Sequence, residues 1–259
     1  MKKWFVLERF MFSREVSRRL AYKFDFFFSL FTISILQIII PLYVLLLYGV
    51  SDGFPGWSVG QALLLVSYIS LGESISAVFF QGIIWNTVDN VKKGTMDTWL
   101  LAPMHPLAYF INRSVDVEDT GKIVTSAAMT GYALFLLEAT ILEIAFLLLY
   151  LIVPIVFFTT LAILASATSI LFIDSYRIYE FVNLTSFLSK YPLSIYPALV
   201  QTLFFTLVPL AAIGVVPILL LYQSASWILL ASALVVFVLC ALSILWWNNT
   251  LKNYGSAGG

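Results

Sequence analysis

An all-α integral membrane protein is the fold class this chain predicts, and three observations carry that expectation. Of its 259 residues, 61% are hydrophobic and only 11% charged, whereas a soluble domain carries roughly a quarter charged residues. The apolar residues fall in runs long enough to cross the ~30 Å hydrocarbon core of a bilayer. The basic residues are unevenly placed: Lys2, Lys3, Arg9, Arg14, Arg18, Arg19 and Lys23 all lie in the first 23 residues. Six spans with both ends of the chain in the cytoplasm put every Lys and Arg inside except, in one of two arrangements, Lys190. Asp52 and Glu138 then lie outside, as the positive-inside rule favours.

Residues 1–23 are expected to form a cytoplasmic interfacial helix. Phe5, Phe12, Val16 and Leu20 make a helical stripe, interrupted by Arg9, and the basic residues suit anionic lipid. Residues 24–259 form the six-span domain. No cleavable signal is expected, because the first long apolar run is long enough to span and lacks a small-residue cleavage pattern. Span 1 covers about Phe26–Leu47 and includes Pro41, which a membrane helix tolerates. Ser51–Trp57 is a turn-rich outer loop with a tryptophan suited to the interface.

Span 2, about Val59–Ile84, is more polar than the rest, with Ser67, Ser70, Glu73, Ser74, Ser76 and Gln81. A carboxylate at that depth is costly against lipid, so Glu73 must face protein or water. Two roles remain open for it: a residue of a translocation path, or a hydrogen-bonded packing carboxyl. Span 3 covers about Ile123–Leu137. Span 4 covers about Leu148–Ile173, with an outer interfacial piece near Glu143. Residues 198–222 are apolar but broken by Pro209, Gly214 and Pro217. They are either a span or a pair of re-entrant outer half-helices, in which case the polar stretch 178–193 is span 5. Trp227–Trp247 is the last span.

The cytoplasmic loop 86–122 holds the segment that most invites a partner, Asn90-Val-Lys-Lys-Gly-Thr-Met-Asp-Thr-Trp-Leu-Leu-Ala-Pro-Met-His-Pro106. Gly94 can end one helix, Thr95 can cap the next, Asp97 suits the new helix dipole and Pro103 stops it. A rod of about two turns follows, Thr95–Ala102, with Met96, Trp99 and Leu100 on one apolar face. That face either docks on another protein, lies on lipid headgroups or packs on its own neighbours.

The run Lys92-Lys-Gly-Thr-Met-Asp-Thr-Trp-Leu-Leu-Ala-Pro103 resembles the cytoplasmic-loop signature of ABC-2 type permeases. Tyr191-Pro-Leu-Ser-Ile-Tyr-Pro197 and the tail Tyr254-Gly-Ser-Ala-Gly258 resemble one branch of that family, and the likeness covers essentially the whole chain. The resemblance implies that the loop rod is a coupling helix docked on a separate ATP-hydrolysing subunit. Thr95, Met96, Asp97, Trp99 and Leu100 would make the contact, with Asp116, Glu118 and Asp119 of the following charged segment. It further implies half of a translocation path at a dimer interface lined by spans 2 and 5. The candidates there are Glu73, Ser70, Ser74, Asn183, Thr185 and Ser186. Tyr191, Pro192, Tyr196 and Pro197 would lead into the re-entrant half-helices. The partners implied are ABC ATPase subunits carrying ATP and magnesium, a second permease copy or paralogue, and the lipid of the plasma membrane.

Chemistry within the chain itself is not expected. His105, the single histidine, stands in the loop beside Pro106, and the single cysteine, Cys240, lies in an apolar run, so no metal centre is foreseen. No phosphate-cradling Gly-Lys-Ser/Thr loop occurs, and the zero formal net charge gives no reason to expect nucleic acid. Neither a catalytic residue nor a cofactor is expected. The competing functions are an ion-coupled secondary carrier, which would want several intramembrane acids, and a membrane scaffold without transport.

Overall fold

The computed structural model describes residues 13–255, apart from residues 15, 19, 103, 173–175, 207 and 221–225. Most of the expected interfacial helix, Pro103 and the end of the Tyr254 tail motif therefore lie outside the described residues. All regular structure among the described residues is helical. Four runs are long and apolar enough to cross a membrane: Lys23–Val50, Val59–Lys92, Ile141–Leu171 and Trp227–Lys252. The expected spans at 123–137 and 178–193 coincide with shorter helices, Thr120–Leu136 and Tyr176–Ser189. At 1.5 Å per residue these reach roughly 26 and 21 Å.

Helix α1 (Lys23–Val50) contains Pro41 and leads to the loop 51–57. There the Tyr48 hydroxyl donates to the Trp57 carbonyl at 2.9 Å and accepts from the Phe54 amide at 3.2 Å. Helix α2 (Val59–Ser76) starts on a capping box: the Ser58 hydroxyl accepts from the Gln61 amide, and the Gln61 side chain accepts from the Ser58 amide. Such reciprocal caps satisfy two amides that the first turn leaves orphaned. Every residue from Ala62 to Gly72 is buried. This helix is the axis of the bundle, with α1, α6 (Thr120–Leu136) and α8 (Ile152–Leu171) packed around it. Ser67 and Ser74 keep their hydroxyls on their own backbone, at Leu63 O (2.8 Å) and Ser70 O (2.6 Å), which lets polar residues sit inside a helix packing.

The expected span 2 is longer than read and is not regular. After Ser76 the helix takes one π turn, Ala77–Gln81, and continues as α3 (Gly82–Lys92). The cause is a contact from the following loop: the Asp116 amide donates to the Val78 carbonyl at 2.8 Å. A carbonyl that leaves its own ladder for an outside donor is what a π bulge accommodates. Two hydroxyl pairs tie this stretch to α8, Ser76 with Thr159 at 3.2 Å and Thr87 with Ser166 at 2.6 Å.

Between α6 and the next helix the chain turns at Glu138, a non-glycine residue with φ +51°. The amides of Glu138 and Ala139 return to Phe135 O and Leu134 O, the hydrogen-bond pattern of a Schellman stop. Thr140 and Glu143 form a second capping box that opens α7 (Ile141–Tyr150). The piece near Glu143, expected as an outer interfacial segment, is α7, which a single turn residue, Leu151, joins to α8 within one apolar run of 31 residues. No polar residue separates the two.

Helix α9 (Tyr176–Ser189) leads to the Tyr191–Pro197 turn, where Leu193–Ile195 form a single 3-10 turn. The Tyr191 ring meets Phe54 edge-on at 6.2 Å, and the Ser194 hydroxyl donates to the Pro55 carbonyl at 3.4 Å. The turn thus rests on the 51–57 loop, at the end of the bundle away from the loop 95–119. An arrangement with residues 191–197 at the same end as the loop 95–119 does not fit these contacts. Next come α10 (Ala198–Thr206), a buried π turn (Ala211–Val215), α11 (Val216–Leu220) and the terminal helix α12 (Ser226–Lys252). The Tyr150 hydroxyl binds the π turn and α12 together, with Ala212 O at 3.1 Å and Ser232 Oγ at 2.8 Å.

Candidate functional site

Glu73 lies 14 residues into α2, roughly 21 Å from the start of that helix, and so at the depth of the hydrocarbon core. Its carboxylate receives Lys190 Nζ at 2.7 Å and the Ser186 hydroxyl at 2.5 Å. The lysine side chain is only 8% exposed and that of the glutamate 24%. Lys122, itself paired with Asp119 at 2.8 Å, adds a more distant positive field at the same carboxylate. A charge taken out of water survives when it is paired and hydrogen-bonded, and both conditions are met. Of the two roles left open for Glu73, the geometry shows a carboxylate that is paired and hydrogen-bonded within the bundle.

Of the expected path residues, Glu73 and Ser186 meet across two helices. Ser74 is buried, donates to Ser70 O at 2.6 Å and meets the Ser126 hydroxyl at 3.4 Å, and Gln37 donates to that same hydroxyl at 3.1 Å. Ser70 is buried in the packing, and Thr185 spends its hydroxyl on Phe181 O at 2.8 Å. Asn183 is exposed, one turn before Ser186 on α9. Lys190 is the residue that sequence reasoning left out. The signal was present in two oddities, one acid deep in a span and one lysine off the pattern of inside charge, each of which needs a partner.

The loop begins as expected at Gly94, whose φ of +64° is natural for glycine at a helix stop. The Gly94 and Thr95 amides return to Val91 O at 3.2 Å and Asn90 O at 2.9 Å, completing a Schellman motif. Thr95 does not cap the next helix. Its hydroxyl donates back to Asn90 Oδ1 at 2.8 Å, because the Schellman turn brings that side chain closer than the amides ahead. The rod is a single turn, α4 (Met96–Leu100), with Asp97 in its first turn.

Its apolar face turns inward. Met96 is fully buried, and the Trp99 ring lies on α5 (Pro106–Asn112) at 4.7 Å from Phe110 and 5.5 Å from Tyr109. The Arg113 guanidinium sits over both Trp99 and Tyr109, at 5.0 and 5.3 Å, a cation–π clamp on the outside of the pair. Phe110 in turn contacts Trp247 of α12 at 5.6 Å. Of the three readings of this face, self-packing is the one seen for Met96 and Trp99, and Leu100 is half-buried beside them. What the rod presents outward is Thr95, Thr98 and Leu101, the last 83% exposed.

The charged segment bonds both to itself and to the central run, where the Asp116 amide donates to Val78 O at 2.8 Å. Asp116 accepts from the Glu118 amide at 3.1 Å at the start of the 3-10 turn Val117–Asp119. His105 is exposed and precedes Pro106 at the start of α5. Cys240 is a free thiol, and no cluster of metal-ligating residues occurs among the described residues.

No curated protein and no solved structure matches the chain significantly. The model of the family described as ABC-2 family transporter protein matches residues 20–258, a span that takes in the Gly94 loop, the Glu73–Lys190 pair and the Tyr191–Pro197 turn alike. The chain belongs to the ABC-2 family of ABC transporter permeases.

Proposed function

We propose that this chain is the membrane half of an ATP-driven exporter, grasped at the loop 95–119 by a separate ATPase that supplies both ATP hydrolysis and its magnesium. The observation that carries the reading is the outward side of the loop rod. Leu101 projects there from a turn pinned by Met96 and Trp99, so a rigid apolar tip stands among Lys92, Lys93 and Thr98. An exposed apolar residue on a braced element favours protein contact over a solvated loop. In this reading the docking set shifts. Thr95, Thr98 and Leu101 touch the ATPase directly, whereas Met96, Trp99 and Leu100 hold the rod in place.

Counting α6 and α9 as passes gives six spans, with both ends of the chain in the cytoplasm of the plasma membrane and residues 198–220 as outer re-entrant half-helices. The contacts of Tyr191 and Ser194 with Phe54 and Pro55 support that arrangement. Six spans make half a transporter, so two copies, or this chain and a related permease, complete the path. Movement of the docked ATPases then rocks the halves between inward and outward access. The competing ion-coupled carrier is disfavoured because Glu73 is paired with Lys190 and Glu143 is held by Thr140 in a capping box. The test is purification of the tagged permease from its native membrane. An ATPase subunit in stoichiometric amount is expected, and its absence from a monodisperse preparation overturns the proposal.

A further inference from the structure

We propose that Lys190 is a positioning residue, and that its pair with Glu73 is a latch holding the Tyr191–Pro197 turn shut over the outer end of the bundle. The proposal deepens the exporter reading and rests on it for the meaning of the path, but its physical content stands on contacts of this chain alone. Lys190 is the residue directly before the turn. Its side chain leaves the outer end and reaches down to Glu73 on the central helix, at 2.7 Å, with Ser186 of the preceding turn of α9 on the same carboxylate. Its backbone neighbour Tyr191 instead meets Phe54, and Phe187 packs edge-on beside it at 5.2 Å.

The turn is therefore held at two points, one ionic and deep, one aromatic and superficial. The aromatic hold is a set of ring contacts with a hydroxyl bond of 3.4 Å, which slides at little cost. The ionic hold does not slide, because parting the pair strips the counter-charge from an ammonium whose side chain is only 8% exposed. An element with one stiff and one soft attachment opens at the soft side only when the stiff one is released.

Cysteine access reads this directly and needs neither cargo nor ATPase. Ser189 is buried beside Lys190 and bonds only to the Ser186 carbonyl, at 2.7 Å. Ser189→Cys is placed in the full chain with Cys240→Ser, in lipid nanodiscs, and labelled with a water-soluble methanethiosulfonate reagent. Lys190→Met and Glu73→Gln are each expected to raise the labelling rate at least about 10-fold, since the reactive fraction follows local opening. The double variant is expected to label no faster than either single one, the signature of two groups acting as one contact.

Ser166→Cys, deep between α3 and α8, is the control for general loosening and is expected to stay unreactive. Unchanged labelling in both single variants overturns the latch. So does a double variant at the product of the two, about 100-fold, because independent sites combine in that way. Rates that rise equally at residues 189 and 166 overturn it as well, by assigning the pair to overall stability. Failure here with an ATPase still co-purifying would leave the exporter reading intact.

Discussion

Leu101→Asp tests the outward face of the loop rod. Leu101 is 83% exposed, and fully burying a leucine side chain contributes about 1.5–3 kcal/mol. Scaled by that exposure, covering it with a partner is worth about 1.2–2.5 kcal/mol, or roughly 8- to 70-fold in affinity. The aspartate adds the cost of desolvating a carboxylate, so these figures are lower bounds. The assay is titration of the purified permease in nanodiscs with its ATPase, with the melting temperature measured alongside. An affinity loss of at least that size at unchanged melting temperature is expected. Met96→Ala is the contrasting change. Met96 is 0% exposed, so the truncation costs about 2–5 kcal/mol of fold stability and acts on binding only by loosening the rod. Unaltered affinity in Leu101→Asp refutes the outward face. Weakened affinity in Met96→Ala with no loss of stability would return the docking surface to the Met96 side.

Three further changes probe the frame around these sites. Gly82→Ala places a methyl group against the Ser114 backbone, which cannot swing aside. A loss of about 1–3 kcal/mol and faster proteolysis between residues 113 and 119 are expected. Glu138→Gly relieves a left-handed residue at φ +51°. A gain of about 0.5–1 kcal/mol is expected, visible as a higher melting temperature. Tyr68→Phe removes the hydroxyl that donates to Leu147 O at 2.9 Å across the buried axis, and a loss of about 1 kcal/mol follows from an ordinary hydrogen bond.

The class of the molecule and its four long apolar helices were legible because hydropathy is additive along a chain and bilayer thickness sets one length scale. Gly94 was legible for the same kind of local reason, since a helix stop of positive φ has a residue that suits it. The loop rod was half legible. Spacing put Met96, Trp99 and Leu100 on one face, and they do share it, but spacing does not say which neighbour covers a face. Its cover is α5, seven residues long, with too few turns to display a period of its own. The Thr95 cap failed because a threonine hydroxyl chooses between acceptor duty ahead and donor duty behind. Only the closed Schellman turn shows Asn90 Oδ1 within reach. The Glu73–Lys190 pair spans 117 positions and has no local signature, although the cost of each charge alone required some partner.

The π turn joins these observations into one mechanical line. Asp116, at the end of the loop, bonds to Val78 O, and Val78 stands five residues from Glu73 on the same run, roughly 7.5 Å along the axis. A load on the loop therefore enters the central helix close to the carboxylate, and enters it at its one irregular turn. A regular helix would pass such a load on as a rigid translation of every residue. A π turn holds one residue in excess, and losing or moving that excess rotates the stretch before it relative to the stretch after it. Under the proposed docking, rotation is the more useful output, because Glu73 faces Lys190 from the side and turning the helix carries the carboxylate away from the ammonium. The buried hydroxyl pairs of Ser76 with Thr159 and of Thr87 with Ser166 bracket that turn on the α8 side. The Thr87 pair is the shorter of the two, at 2.6 Å against 3.2 Å, so the flank beyond the π turn is held harder and the Glu73 side is the one that turns.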